Sequence, residues 1–481
     1  MFLQSGFLHQ MRTEVISDSW TGRIMIAVLC LVIGSIGGVL TAGVSPVAGI
    51  GVAMGLLVGL AMLVSTQIGM LGFIAVAYLL PFAVMPVPIG GVKPTFLDAT
   101  LTVLLAVWLL RLLASPGERL VLTPLDAPVL IFLGLAITSF LFGAYSVSPE
   151  VLRFFLKTIN SILLYFSVTN CLRTRQQLRQ VFLAAMFAAL AAALIGVIFY
   201  LLPSQTSVRI LGMLRPFGYY VGGASLRYIA GTQTLRATGT AVDPNVLGGM
   251  LVLGLPLVMG QIFASDRLLR RCYAIPMAGF MLVGLLLTFS RGALVGTVAA
   301  LLFLGTIRYR WLWAVLALFV VALYVSPPGE IVVGHLESGL RMQDQAAAMR
   351  LGEYKDAIRL ISQYPWFGVG FGEAPSIDLY VATSSIYLLM AEEMGLIGLG
   401  AFLLTLAIFF IHCFRSLGQV KATGLQTIQV GAMASVFGAL TAGLVDHYFF
   451  NIEFPHTVAL FWLFVGLAMV ATRLGRQTPT A

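Results

Sequence analysis

Apolar runs of about 20 residues recur along almost the whole chain, and they constrain its fold more than any other feature. A helix that crosses the hydrocarbon core of a bilayer needs roughly this length, and about fourteen such runs can be placed here. They lie near residues 24–42, 46–65, 68–86, 96–114, 127–145, 150–170, 181–202, 244–263, 274–290, 292–306, 312–326, 385–411, 425–445 and 457–472. The first two and the short pair around Ser290 are the weakest, because Gly-rich or short runs can be re-entrant. We therefore predict an all-α polytopic membrane protein with about 12–14 transmembrane helices, folded as a single integral membrane domain over residues 1–481.

Composition excludes several classes of function. Apolar residues make up 59% of the chain and charged residues 10%, which lies far from the composition of soluble proteins. The net charge is +9, but the basic residues are scattered between apolar runs rather than gathered on one face, so we expect no nucleic-acid partner. The four cysteines have no CxxC spacing and no histidines arranged for zinc, so we expect neither a metal site nor a disulfide framework.

The distribution of Lys and Arg predicts the orientation of the chain, because short cytoplasmic loops retain positive charge during insertion. With a cytoplasmic N-terminus, every cytoplasmic connection after the third span is basic. These connections carry Arg111, Arg119, Arg173, Arg175, Arg179, Arg267, Arg270, Arg271, Arg308, Arg310, Arg415, Lys421, Arg473 and Arg476. We therefore predict that both termini are cytoplasmic.

Two connections are long, and both fall on the outer side in this orientation. They are a first outer loop at 203–243 and a large outer loop at 327–384. Long loops between tightly connected elements tend to be functional. Within the second loop we predict a surface helix from about Glu337 to Ser362, ended by the Pro- and Gly-rich run from Tyr364 to Gly372. That run lacks the Lys-Ser/Thr ending of a nucleotide loop.

Basic residues on the outer side oppose the usual bias and are therefore informative. They are Arg153, Lys157, Arg209, Arg215, Arg227, Arg236, Arg291, Arg341, Arg350, Lys355 and Arg359. An Arg near the hydrocarbon is costly unless it is paired or hydrated, and its planar fork of donors suits phosphate oxygens. We predict a lipid diphosphate site. The alternative is that these cations reach lipid headgroups or pair with Glu150, Glu337, Glu353 or Asp356.

Four stretches, in order, resemble the O-antigen ligase and polymerase superfamily of membrane glycosyltransferases. Arg236–Asn245 resembles an Arg-x-x-Gly segment that ends in Asp-Pro-Asn, and Ser290–Leu294 resembles a Ser-Arg-Gly signature. Arg350 followed by Pro365–Gly372 is similar to the large loop of the family. Thr383–Gly398 is similar to the exit from that loop. The resemblance covers roughly residues 120–472.

The resemblance implies a GT-C-like fold and an inverting glycosyltransferase that needs neither metal nor cofactor. The donor would be an oligosaccharide on undecaprenyl diphosphate, and the acceptor a glycan or a lipid. The reaction would take place on the periplasmic face of the bacterial inner membrane, in O-antigen or exopolysaccharide assembly. A flippase and a chain-length regulator are candidate partners.

One position departs from the ligase pattern. Ser384 stands where ligases carry a histidine that is implicated in catalysis, whereas Ser385 and the paired glycines that follow are retained. Either another group serves as base, or the activity is that of a different member of the superfamily, such as polymerisation. We slightly favour a polymerase over a ligase.

Roles can be assigned to the candidate site residues. We expect Arg291, Arg236 and Arg350 to stabilise the charge that develops on a diphosphate leaving group, with Arg291 also counted as catalytic. The further candidates for binding the diphosphate are Arg153, Lys157 and Arg215.

The base could come from several outward-facing residues. Asp243 is one candidate, and the alternative is that it caps the helix that follows it. Asp446 and His447 could replace the missing histidine, although a histidine at such a position often bonds only locally. The weaker candidates are His456, Glu392 and Glu393.

A flippase or transporter for lipid-linked oligosaccharides is the rival interpretation. It would share the membrane spans and the buried cations, but transporters commonly show two related halves. The sequence shows no convincing internal repeat, and its polar residues concentrate in two outer loops. We therefore favour chemistry at the membrane surface.

Overall fold

The computed structural model describes residues 61–62, 65–86, 93–114, 119–143, 148–219, 226–229, 232–325, 333–334, 337, 341, 345–372 and 383–477. The predicted span at 24–42 and nearly all of that at 46–65 lie outside these residues. Residues 338–340 and 342–344 of the predicted surface helix lie outside them as well.

Fourteen α-helices occupy the described residues. They are α1 (Thr66–Leu79), α2 (Phe96–Ala114), α3 (Asp126–Phe142), α4 (Pro149–Cys171), α5 (Arg175–Leu201), α6 (Ser204–Gly212), α7 (Pro244–Phe263), α8 (Arg271–Leu287), α9 (Arg291–Ile307), α10 (Trp311–Val325), α11 (Gln345–Gln363), α12 (Ile386–Lys421), α13 (Gln426–Ala442) and α14 (Pro455–Arg476). Between α6 and α7 lie two 3₁₀ turns, Arg215–Phe217 and Gly239–Ala241, and a two-residue antiparallel hairpin of β1 (Arg227–Tyr228) and β2 (Leu235–Arg236).

The prediction of an all-α polytopic membrane protein is confirmed. Six of the described helices, α2, α4, α5, α7, α12 and α14, are long and apolar enough to cross a membrane. Shorter apolar helices include α1, α3, α8, α9 and most of α10. Each predicted run from 68–86 onward coincides with a helix.

The centre of the bundle is formed by α7, α13 and α14, whose side chains are almost all buried. α9 packs against α13 through small residues: a Cβ placed on Gly296 would lie 2.5 Å from the carbonyl oxygen of Gly438. Membrane helices approach this closely only where side chains are small. The contact holds the beginning of α9 beside the end of α13, where the candidate site lies.

Helix α12 is broken at Gly395, which has φ 70° and ψ −178°. The break exposes carbonyl groups, and the Gly-rich run that follows α11 uses them. The backbone N–H groups of Val369 and Gly370 donate to the carbonyls of Glu392 and Glu393, at 2.8 and 3.0 Å. The N–H of Leu396 donates to the carbonyl of Pro365 at 2.8 Å. The large loop is therefore fastened to a membrane helix through its backbone.

Glycines make this junction possible. A Cβ on Gly395 would lie 2.2 Å from the carbonyl oxygen of Trp366, and one on Gly368 would lie 2.4 Å from that of Glu392. A Cβ on Gly143, just after α3, would lie 2.7 Å from the Cα of Gly370. The two glycine motifs that the sequence places about 25 residues apart are thus the two sides of one contact.

Candidate active site

The Ser290-Arg291-Gly292 segment forms the turn into α9. Ser290 is the N-cap, and its hydroxyl accepts a hydrogen bond from the N–H of Ala293 at 3.4 Å. Phe289, just before it, has a positive φ of 49°. This turn sets Arg291 at the first position of the helix, where the helix dipole also favours an anion.

Asp243 begins α7 in a similar way. Its carboxylate accepts hydrogen bonds from the N–H groups of Asn245 and Val246, at 2.7 and 3.3 Å, so it acts as the N-cap. Val242 has a φ of 61°, and among the described residues Val242 and Phe289 are the two non-glycine residues with positive φ. Backbone strain of this kind tends to accumulate at functional sites.

Arg236 connects these two helix beginnings. Its Nε donates to the carbonyl of Thr288 at 2.8 Å, and its Nη2 donates to Oδ1 of Asn245 at 2.7 Å. Burial lowers the pKa of Arg236, while the charges of Asp243 and Asp446 oppose that shift. Arg236 therefore holds the site together, in addition to adding positive charge.

Asp446 lies in the connection between α13 and α14 and is 4% exposed. Its Oδ1 is 3.8 Å from Nη2 of Arg350, a residue of the large loop. Among the described residues, the other oxygen, Oδ2, accepts no hydrogen bond. A Cβ on Gly292 would lie 2.7 Å from this oxygen, so the glycine of the Ser-Arg-Gly signature makes room for the carboxylate.

The surroundings of Asp446 change its acidity. Burial raises its pKa to about 7 from an ordinary value near 3.8, although Arg350 opposes the shift. A carboxylate with this pKa can accept a proton near neutral pH and release it again.

His447 follows Asp446 but has different neighbours. Its Nδ1 is 2.8 Å from Nδ2 of Asn451, which we assign as the donor. Burial lowers the pKa of His447 to about 4, so the imidazole is neutral near pH 7. Its ring therefore adds no positive charge to the site.

Comparison with known proteins agrees with this geometry. Residues 276–403 match the Wzy_C family model, which is described as O-antigen ligase. The match supports the assignment of this segment to the O-antigen ligase and polymerase superfamily. No curated protein matches the chain.

Three of the four superfamily motifs lie within the matched segment, which runs from α8 into α12. They include Arg291, Arg350 and Ser384. Arg236, Asp243 and Asp446 lie outside the matched segment, and the fold brings them to it. The match supports a glycosyltransferase-like enzyme of the O-antigen ligase or polymerase type, with lipid-linked glycans as substrates.

One face of α11 docks on Ser384, the position at which ligases of the superfamily carry histidine. Oε2 of Glu353 accepts from the N–H of Ser384 at 3.0 Å, and the hydroxyl of Tyr354 donates to its carbonyl at 3.1 Å. Arg350, one turn earlier, reaches Asp446. These contacts hold the large loop over the carboxylate.

The six residues Arg236, Asp243, Arg291, Arg350, Asp446 and His447 are brought together by the fold. The other predicted cations have different positions. Nζ of Lys157 is 2.9 Å from Oδ2 of Asp98, which makes it an ion-pair partner of that residue. Arg153 and Arg215 are exposed, on α4 and on the first 3₁₀ turn.

Sequence reasoning missed two features of the site. It suggested loop carboxylates as partners for Arg350, whereas Asp446 pairs with it from 96 positions away. It also assigned no role to Tyr354. The spacing of Arg350, Glu353 and Tyr354 on one helix face was the signal that could have indicated a docking surface.

Proposed function

We propose that this protein is a glycan polymerase or ligase that uses an oligosaccharide on undecaprenyl diphosphate as donor, with polymerisation favoured. The observation that carries the proposal is the buried Asp446, which has an unpartnered oxygen beside Arg350 and the beginning of α9. A buried carboxylate without a second hydrogen-bond donor is costly, and its retention points to chemistry.

The donor diphosphate would be bound by Arg291 and Arg350. Arg236 would support Arg291 through its hydrogen bond to the carbonyl of Thr288, in the turn before α9. Transfer forms a bond from the acceptor hydroxyl oxygen to the anomeric carbon and breaks the bond from that carbon to the phosphate oxygen. The leaving diphosphate keeps the electron pair, and the arginine donors stabilise the charge that develops on it.

The acceptor hydroxyl must lose a proton as it attacks. Oδ2 of Asp446 would accept it, because this oxygen has no other partner among the described residues and its pKa of about 7 suits the task. Attack from the face opposite the diphosphate would invert the anomeric centre. Asp243 is committed to capping α7 and is the weaker candidate for base.

The positions of the basic residues support a site that faces the periplasm, with both termini in the cytoplasm of a bacterium. Ser384 supports a polymerase, since a neutral hydroxyl replaces the ligase histidine and Asp446 offers a different base. A flippase and a chain-length regulator remain candidate partners.

A flippase is the second candidate function, because transporters use helices broken within the membrane and α12 is broken at Gly395. In this chain, however, the N–H groups of Val369 and Gly370 occupy the carbonyls freed near the break. That arrangement favours a fixed junction over a moving gate.

The test is transfer by the purified protein in detergent, given an oligosaccharide on undecaprenyl diphosphate and candidate acceptors. Arg291→Ala is the test variant, and Arg310→Ala, at an exposed arginine just before α10, is the matched control. A ladder of longer lipid-linked glycans that is lost only in Arg291→Ala supports a polymerase. Transfer to a different lipid acceptor supports a ligase. Movement of the substrate across liposomes without any product would contradict the enzyme proposal.

A further inference from the structure

His447 and Asn451 form a hydrogen-bonded turn beside Asp446. The N–H groups of Phe450 and Asn451 both donate to the carbonyl of His447 at 3.0 Å. This geometry resembles one turn of a helix, so two side chains four residues apart lie on the same side of it. Nδ2 of Asn451 is 2.8 Å from Nδ1 of His447. The turn therefore holds the two side chains in direct contact.

The backbone fixes the orientation of the Asn451 amide. Its Oδ1 accepts a hydrogen bond from the N–H of Glu453 at 2.8 Å, and a backbone N–H can only donate. A reversed amide would place two donors against each other. Oδ1 therefore faces Glu453, and the NH₂ group faces His447. Asn451 is buried, with 5% of its surface exposed, so the amide is held by these two partners.

The amide in turn fixes the tautomer of the imidazole. Because Asn451 donates to Nδ1 of His447, Nδ1 carries a lone pair, and the single proton of the neutral ring is on Nε2. Burial lowers the pKa of His447 to about 4, so the ring is neutral near pH 7. The ring of Phe454 lies 5.9 Å from the imidazole, measured between centroids. His447 is thus a neutral hydrogen-bond donor whose position is fixed by its neighbours.

His447 lies where a substrate can reach it. Asp446 and Tyr448, its neighbours in the chain, are buried, whereas His447 is partly exposed. The charges of Asp243 and Arg350 both act on the pKa of the imidazole. The ring therefore lies among the groups of the candidate site.

The fixed tautomer excludes one role and favours another. A general base needs a lone pair on the nitrogen that meets the substrate, and the lone pair of His447 is bonded to Asn451. A donor without charge suits a sugar oxygen, whereas arginines suit the oxygens of a diphosphate. Such a donor also discriminates strongly between sugars, because a sugar without the matching oxygen leaves it unpaired.

We propose that His447 donates a hydrogen bond from Nε2 to a sugar oxygen of the bound glycan, and that Asn451 sets the tautomer that makes this possible. His447 is then a specificity-determining residue, and Asn451 is a positioning residue. The inference rests on the proposed function. It adds a sugar contact that is separate from the base, Asp446, and from the arginines.

Substitutions at His447 separate a donor from a base. Glutamine places an amide N–H near the position of Nε2, whereas phenylalanine has no polar group. We expect His447→Phe to lower kcat/KM for glycan transfer about 10- to 100-fold, and His447→Gln to stay within about fivefold of wild type. His412→Phe and His412→Gln, at the partly exposed histidine of α12, are the matched controls and should leave transfer unchanged. Equal losses in the two His447 variants would overturn the inference.

Asn451→Asp tests the tautomer, because a carboxylate accepts hydrogen bonds but does not donate them and is close in size to the amide. It should move the proton of His447 to Nδ1 and leave a lone pair on Nε2. At about pH 9, above the ordinary histidine pKa of about 6.5, the ring is neutral. We then expect transfer to fall as far as in His447→Phe, and no further in the variant that carries both changes. A rise in transfer would show that His447 is a base and would overturn the inference.

Nitrogen NMR with isotope-labelled histidine observes the tautomer without catalysis. The chain has five histidines, so the signals are few, and His447→Gln identifies the one that is lost. Wild type should show the proton on Nε2. An oligosaccharide on undecaprenyl diphosphate should shift that signal, and undecaprenyl diphosphate alone should not.

This measurement separates the inference from the proposed function. If the oligosaccharide shifts the Nε2 signal and neither wild type nor any variant transfers glycan, the sugar contact stands and the proposed function fails. A proton on Nδ1 in wild type would overturn the inference. So would a signal that the oligosaccharide leaves unchanged, or one that shifts equally with and without the sugar.

Discussion

Two aspartate–arginine pairs lie at opposite ends of the α9–α13 helix pair, and they differ in how completely their carboxylates are bonded. At the site end, Asp446 pairs with Arg350 at 3.8 Å, and among the described residues its Oδ2 has no hydrogen-bond donor. At the far end, Asp266 pairs with Arg308 at 3.4 Å and also accepts from the N–H and hydroxyl of Thr427. The far carboxylate is thus saturated by partners from α9 and α13.

The difference separates structure from chemistry. A carboxylate with all its partners in place joins helix ends and has no capacity left for a reaction. A buried carboxylate with an unbonded oxygen destabilises the fold, and groups that carry such a cost are concentrated at functional sites. The same pair of residue types therefore serves two purposes in one bundle.

Asp446→Asn should produce the largest effect. We expect glycan transfer to fall about 100- to 10,000-fold, which is the range for loss of a general base. The matched variant Asp266→Asn should keep the rate per folded molecule close to that of wild type while lowering the thermal midpoint, because it loses saturated bonds at the far end. Initial rates and thermal unfolding in detergent measure both. Transfer by Asp446→Asn above a tenth of the wild-type rate would contradict the distinction between a catalytic Asp446 and a structural Asp266.

The pH profile of transfer should carry the signature of Asp446. Its pKa is about 7, so below that pH the rate should fall roughly tenfold per unit, and above it the rate should level off. His447, with a pKa of about 4, stays neutral across pH 5–8 and adds no second step there.

Stability should change in the opposite direction to activity. The pKa of Asp446 is higher in the folded state than its ordinary value near 3.8, so the folded state holds the proton more tightly. Its contribution to stability is full below that ordinary value and is lost as the pH rises towards 7. Initial rates and thermal midpoints from pH 5 to 9 test both statements, and a flat rate profile would contradict the role of Asp446.

Glycines at the two ends should differ in a similar way. Gly395 and Gly424 have nearly the same φ, 70° and 69°, but an added Cβ meets the Trp366 carbonyl oxygen at 2.2 Å at the first and only Arg179 at 3.8 Å at the second. Gly424→Ala should cost about 1–2 kcal/mol of unfolding free energy from backbone strain alone. Gly395→Ala should cost at least about 2 kcal/mol more, since the backbone must move. Equal midpoints for the two variants in thermal unfolding would show that the junction with the large loop is loose.

Arg350→Gln should shift the pH profile only slightly, and this shift is measured relative to the variant's own plateau rate, which falls because an arginine that binds the diphosphate is lost. Arg350 lowers the pKa of Asp446, so its removal should move the ascending part of the pH profile to higher pH. Arg308→Gln at the far end should leave that profile in place. A profile that is unchanged in Arg350→Gln would mean that the loop arginine does not act on Asp446 during turnover.

Much of this architecture could be predicted from the sequence. The length of the apolar runs predicted the described helices other than α6 and α11, because a membrane span needs a stretch of roughly fixed length. The Pro- and Gly-rich run after α11 was recognised as a helix end. The basic residues on the outer side indicated an anion site. Their charge and their predicted depth in the membrane did not identify which of them meet, as the positions of Arg153, Lys157 and Arg215 show.

The sequence by itself determined that this protein lies in a membrane, where its helices are and what chemical character its site has, because these depend on local composition. The tertiary structure decided which side chains meet. Only packing of α9 on α13 sets Asp446 against Gly292, and only docking of α11 brings Arg350 to it. Such contacts join residues far apart in the chain, and no local pattern encodes them. The same packing decides that Lys157 pairs with Asp98, and that Asp446 alone of the two compared carboxylates keeps an oxygen free among the described residues.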